Sequence, residues 1–152
     1  MIEETPVATC IPTGNPKKTR AGLGMPASLY LHQFGELLFH AFGDYAYHVG
    51  SSLTGATWRD VDIRIMLEAE QYKAMGFGDP QRPHENKRWC AYTMAFSELG
   101  RRMTGLPIDF QIQETETAST QYDLDEGHSR SALILWALRT AHSEVAADEA
   151  KP

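Results

Sequence analysis

The sequence predicts an α+β fold, a mixed β-sheet covered by helices, on three observations. Asp60–Ile65 and Ile108–Ile112 alternate polar and apolar residues with the period of a strand. Pro26–Phe42 and Asn86–Thr104 repeat apolar residues at spacings of three and four, the period of a helix with one buried face. The two patterns interleave along the chain in the order helix, strand, strand, helix, strand, helix, so strands and helices must share one core.

At 152 residues, with 42% hydrophobic and 10% aromatic content, the chain has the size and composition of one globular domain. The domain is expected over residues 26–142, with an N-terminal arm before it and an acidic tail over 143–152. The net charge of −6 argues against nucleic-acid binding through bulk charge and leaves room for a local basic groove. Cys10 and Cys90 form no zinc pattern and read as free thiols of a reducing compartment. Neither a secretory leader nor a run of about 18 apolar residues is visible, so the expectation is a soluble cytoplasmic protein without a membrane partner.

Residues 1–25 are rich in Pro, Gly and Thr and read as an extended arm, with Lys17, Lys18 and Arg20 as a small basic cluster. The first helix carries Leu31, Phe34, Leu38 and Phe42 on one face, with Ser28 as its expected cap. Gly43-Asp44 breaks it, and Tyr45–Val49 is the first strand. Ser52–Arg59 connects to the second strand, and within it Trp58 either anchors the loop or stacks on a base. Arg59 should point away from Asp60, because neighbouring strand residues face opposite sides. A short helix over Glu68–Met75 follows, then a loop over Gly76–Glu85 that reads as a surface loop or a substrate-facing lid. Asn86 caps the clearest helix, whose stripe of Trp89, Tyr92, Phe96, Leu99 and Met103 should pack on the sheet until Gly105 stops it. The third strand lies within Leu106–Ile112. Glu114–Gly127 reads as a solvated connection, and Arg130–His142 as a last helix with Leu133 facing inward. Arg130 falls in its first turn, where a cation opposes the helix dipole, which points to a phosphate or carboxylate partner.

The chemistry concentrates in Tyr45–Leu67. On the second strand Asp60 and Asp62 project from one face, with Cα atoms roughly 6.6 Å apart. Carboxylates that close repel unless a cation relieves them. That cation is either a hard divalent metal, which takes oxygen ligands, or Arg64 on the same face of a plain polar strand. The first strand ends at Gly50-Ser51, where glycine admits close approach of a ligand and free N–H groups with the Ser51 and Ser52 hydroxyls suit phosphate oxygens. Gly50 to Thr57 has P-loop glycine spacing, but Ala56 stands where the lysine belongs. A nucleophile elbow fails because Thr54 replaces its last glycine. Nothing around the aspartates favours glycoside hydrolysis over phosphate chemistry.

The order strand, Gly-Ser, eight residues, Asp60-Val61-Asp62-Ile63 resembles the nucleotidyltransferases related to DNA polymerase beta, the minimal members especially. Asp109, in Ile108-Asp109-Phe110, matches the third carboxylate these proteins carry on a later strand. The resemblance covers about Pro26–Ile112. It implies a nucleotidyltransferase-like fold and transfer of a nucleoside monophosphate from ATP or another NTP to an acceptor hydroxyl. It also implies that Asp60, Asp62 and Asp109 hold one or two Mg2+ and that Gly50 and Ser51 hold the phosphates; Ser52 beside them and Arg130 of the last helix are added as phosphate contacts from their positions in the chain. Arg64 departs from the apolar or small residue expected after Asp-x-Asp-Ile. The acceptor, a small molecule, a protein or an RNA end, is not specified, and the small size points to a second protein or a homo-oligomer to help hold it. The alternative is a non-catalytic module of the same fold that binds nucleotide or a partner protein, as an antitoxin does.

Overall fold

The computed structural model describes residues 23–55, 57–121 and 131–135. Its elements are α1 (Ala27–Phe42), β1 (Ala46–Val49), a one-turn helix α2 (Ser51–Thr54), β2 (Val61–Leu67), α3 (Ala69–Ala74), a 3-10 turn (Pro83–Glu85), α4 (Lys87–Thr104), β3 (Ile108–Glu114), α5 (Thr115–Gln121) and β4 (Leu133–Ile134). The fold is α+β. One sheet has the order β3-β2-β1-β4, with β2 and β3 parallel and the other pairs antiparallel.

Alternation fixes which strand face is buried. Val61, Ile63, Ile65 and Leu67 of β2, with Ile108, Phe110 and Ile112 of β3, point into the core. Leu31, Phe34, Leu38 and Phe42 of α1 meet them there. The rings of Phe42, Phe96 and Phe110 lie 5.1–5.9 Å apart and join α1, α4 and β3. Burying one such ring contributes about 1.5–3 kcal/mol. The expected cap of α4 is present, since the Trp89 N–H donates to Asn86 Oδ1 at 2.9 Å. Two further bonds cover the open edge of β3: the Phe110 N–H donates to Ser97 Oγ at 3.0 Å, and Trp89 Nε1 donates to the Ile112 carbonyl at 2.9 Å.

Several expectations are corrected. Ser28 lies inside α1 and its hydroxyl contacts Met25 Sδ, so it caps nothing. In the α4 stripe Trp89, Phe96 and Met103 pack on the core, but Tyr92 and Leu99 are exposed at the rim. The inward face of α4 runs instead through Trp89, Thr93, Phe96, Gly100 and Thr104, and Tyr92 touches the core through its ring contacts with Phe77 and Phe42. Phe77 is buried, and Asn86 and Arg88 tie the neighbouring backbone to the start of α4. The Gly76–Glu85 loop therefore follows the far end of β2 from Asp62 and covers no part of the carboxylates. Glu114, assigned to a solvated connection, is instead buried at the end of β3. Its carboxylate accepts the N–H groups of Glu116 and Thr117, starting α5. These bonds hold its pKa below the usual value, the Thr117 contacts being the largest cause.

The last helix is also corrected where it is described. Leu133–Ile134 is a strand, and Leu133 pairs with His48 as an exposed residue of β4. Leu135 fills the core instead, against Gly35 of α1, where an added Cβ would collide with its own. Strand pairing to β1 outweighs the local helical pattern. The arm with Lys17, Lys18 and Arg20, the rest of that helix with Arg130, Cys10 and the acidic tail lie outside the described residues.

Candidate functional site

The exposed sheet face carries the polar halves of the same alternation. Register places Asp62 directly beside Asp109, and Val49 beside Asp62 on the other side. Gly50, one residue on, crosses the Asp62 carboxylate so closely that a Cβ there would overlap it. Its backbone, φ 80 and ψ −167, is a conformation essentially confined to glycine. The ends of three strands thus converge on Asp62.

Arg64 occupies the space between the two carboxylates. Its Nη2 donates to Asp62 Oδ1 at 2.8 Å and to Asp109 Oδ2 at 3.2 Å, and its Nη1 to the Asp109 carbonyl at 2.8 Å. Gln111 Nε2 donates to Asp109 Oδ2 at 3.3 Å. Despite the guanidinium, Asp62 is pushed above the ordinary carboxylate range, first by burial, then by the negative charges of Asp109 and Asp60. Burial thus outweighs what the arginine relieves.

Asp60 sits in the bend before β2, not in the strand, and accepts from Arg59 Nε at 3.0 Å. Arg59 therefore turns toward Asp60, against the expectation of opposite faces, because the strand has not begun. Trp58 packs on the core, which is the anchoring alternative. Asp62 and Asp109 are oxygen donors suited to a hard divalent cation. Among the described residues, no three His, Cys, Asp or Glu side chains are arranged as a metal-binding group. Gly50 borders the Asp62 carboxylate, and Ser51 follows it as the exposed first residue of α2. Ser52 does not border it: its hydroxyl is fully buried and paired with His48 Nε2 at 2.8 Å.

Sequence reasoning passed over His48, although it falls on the buried parity of β1 four residues before Ser52. Its ring is fully buried, and Nδ1 has no partner among the described residues. Burial, and then the neighbouring His32, lower its pKa to about 4. Such a group stays neutral in the folded chain while the unfolded chain protonates near 6.5. Stability is thus fully present above pH 6.5 and is lost as pH falls toward 4, by about 3 kcal/mol from this group. Urea unfolding between pH 7 and pH 4 should show that loss in the wild type and a flatter profile in His48→Gln; equal slopes would remove His48 as the cause.

Searches of protein-family models, curated proteins and solved structures find no match to this chain.

Proposed function

We propose that this chain is a metal-dependent nucleotidyltransferase of the polymerase-beta-like type, moving a nucleoside monophosphate from an NTP to an acceptor hydroxyl. One observation carries the reading: parallel pairing sets Asp62 beside Asp109 while the Gly50 turn lies across Asp62. A sheet needs none of these for packing, since the core lies on the other face.

Asp62 and Asp109, once Arg64 withdraws from between them and Asp60 turns from Arg59, would hold Mg2+. When bound, the metal neutralises phosphate charge and stabilises the attacking and leaving oxygens. Gly50 and Ser51 orient the terminal phosphates through backbone N–H groups and the Ser51 hydroxyl. The acceptor oxygen attacks the α-phosphorus, a new P–O bond forms, and the bond to the β-phosphate oxygen breaks to release pyrophosphate. Asp109 takes the hydroxyl proton. Removing a positioned proton acceptor costs about 10²–10⁴-fold in rate. Incubation with each α-labelled NTP and magnesium, offered separately to RNA, protein and small-molecule extracts, should label one of them. Asp109→Asn should label it at least about 10²-fold more slowly; equal labelling by the variant would sink the reading.

Arg64 favours a second reading. A guanidinium seated between the carboxylates is a built-in cation. A non-catalytic module that binds nucleotide or a partner protein would keep it there. Stable capture of a partner without nucleotide, unchanged in Asp60→Asn, would mark that case.

A further inference from the structure

Beside Asp109 an open surface pocket of about 520 Å³ is lined by Arg59, Asp60, Arg101, Pro107, Ile108 and Asp109. We infer that it is the acceptor subsite of the transferase proposed above, and that it takes a hydroxyl compound carrying a phosphate. The inference rests on that reading. The pocket brings two cations of an otherwise acidic chain, net charge −6, to the wall of one cavity with Asp109. Their sources are independent, the loop before β2 and the last turn of α4. A hydroxyl placed at Asp109 therefore leaves the rest of the molecule facing Arg59 and Arg101.

The lining is charge-balanced, Arg59 and Arg101 against Asp60 and Asp109, and the two guanidiniums are the groups in it that fit a phosphate. Arginine presents a planar fork that matches phosphate oxygens. Both guanidiniums are held by weak exposed pairs, Arg59 to Asp60 at 3.0 Å and Arg101 to Glu98 at 3.4 Å. Such pairs are screened and contribute little, so an incoming phosphate displaces them readily. Displacement of Arg59 also frees Asp60 to turn toward Asp62, which would couple acceptor entry to completion of the carboxylate set. Pro107 and Ile108 supply an apolar floor for a sugar or base.

The phosphate titration needs neither NTP nor metal. The full ¹⁵N-labelled chain is titrated with inorganic phosphate, then with ribose 5-phosphate and with a 5′-phosphorylated oligoribonucleotide. Amide shifts are expected at Arg59, Asp60, Arg101, Ile108 and Asp109, larger than any at Gly50 and Ser51, where the NTP phosphates are placed. Arg59→Ala/Arg101→Ala should weaken binding at least tenfold while its wild-type-like spectrum reports the fold. Tighter binding of the sugar phosphate identifies a small-molecule acceptor, and tighter binding of the oligonucleotide an RNA end. Shifts centred elsewhere, or undiminished in the double variant, overturn the subsite. Mg-ATP binding is measured on both proteins to separate the two claims. If it is intact while phosphate misses the pocket, the subsite alone fails. If no NTP binds with Mg2+, the transferase reading fails and the acceptor assignment with it. Loss of Mg-ATP binding in the double variant overturns the subsite too, since the arginines would then hold the NTP.

Discussion

Gly50→Val is expected to abolish Mg-ATP binding and to cost about 1–3 kcal/mol in stability. Two effects act at once. The backbone at φ 80 and ψ −167 is strained for any residue with a side chain. The new Cβ also falls on the Asp62 carboxylate. Asp62 Cγ and Cβ also lie 3.0 and 3.3 Å from that position, so the side chain must swing away and give up its Arg64 bond, which adds to the stability loss. Moving it is what removes function, because Asp62 then no longer lies beside Asp109. Urea unfolding reads the first effect and calorimetry with Mg-ATP the second. A variant that loses stability but binds Mg-ATP like the wild type would separate Gly50 from the site.

Arg64→Met is expected to lower stability without metal by about 1–3 kcal/mol, since it leaves two adjacent carboxylates without their shared donor. Methionine keeps much of the side-chain length, so the loss reports charge and hydrogen bonding more than packing. Added Mg2+ should then raise the unfolding midpoint of the variant more than that of the wild type, because the metal takes over the relief of charge that the guanidinium supplied. Thermal unfolding at several Mg2+ concentrations measures this. A variant destabilised equally with and without Mg2+ would mean that Asp62 and Asp109 are partners of Arg64 and not of a metal.

What the sequence made legible follows from periodicity. The apolar halves of β2 and β3 and the α1 stripe appear in the core as expected, because strand alternation and helix period translate directly into buried faces. The pairing of Asp62 with Asp109 follows from the same alternation once β2 and β3 lie parallel in this register. Features set by tertiary contact were not legible. Leu133–Ile134 falls within a helical pattern but pairs as a strand, since β1 offers an open edge. Ser52 reads as a phosphate contact only while His48 is ignored, and the His48–Ser52 bond depends on α2 folding back over β1. Asp60 looks like a strand residue because the alternation extends one position beyond the strand itself.

Asp62 is the residue on which the proposed function turns, and its removal should leave the fold standing. It lies on the sheet face opposite the core, and burial already disfavours its charged form. Calorimetry of each of the four NTPs, with and without Mg2+, for wild type beside Asp62→Asn therefore tests the central claim most directly. The expected result is binding of at least one NTP that requires both Mg2+ and Asp62, with unchanged folding of the variant. Binding that survives Asp62→Asn, or no binding of any NTP by the wild type, would contradict it.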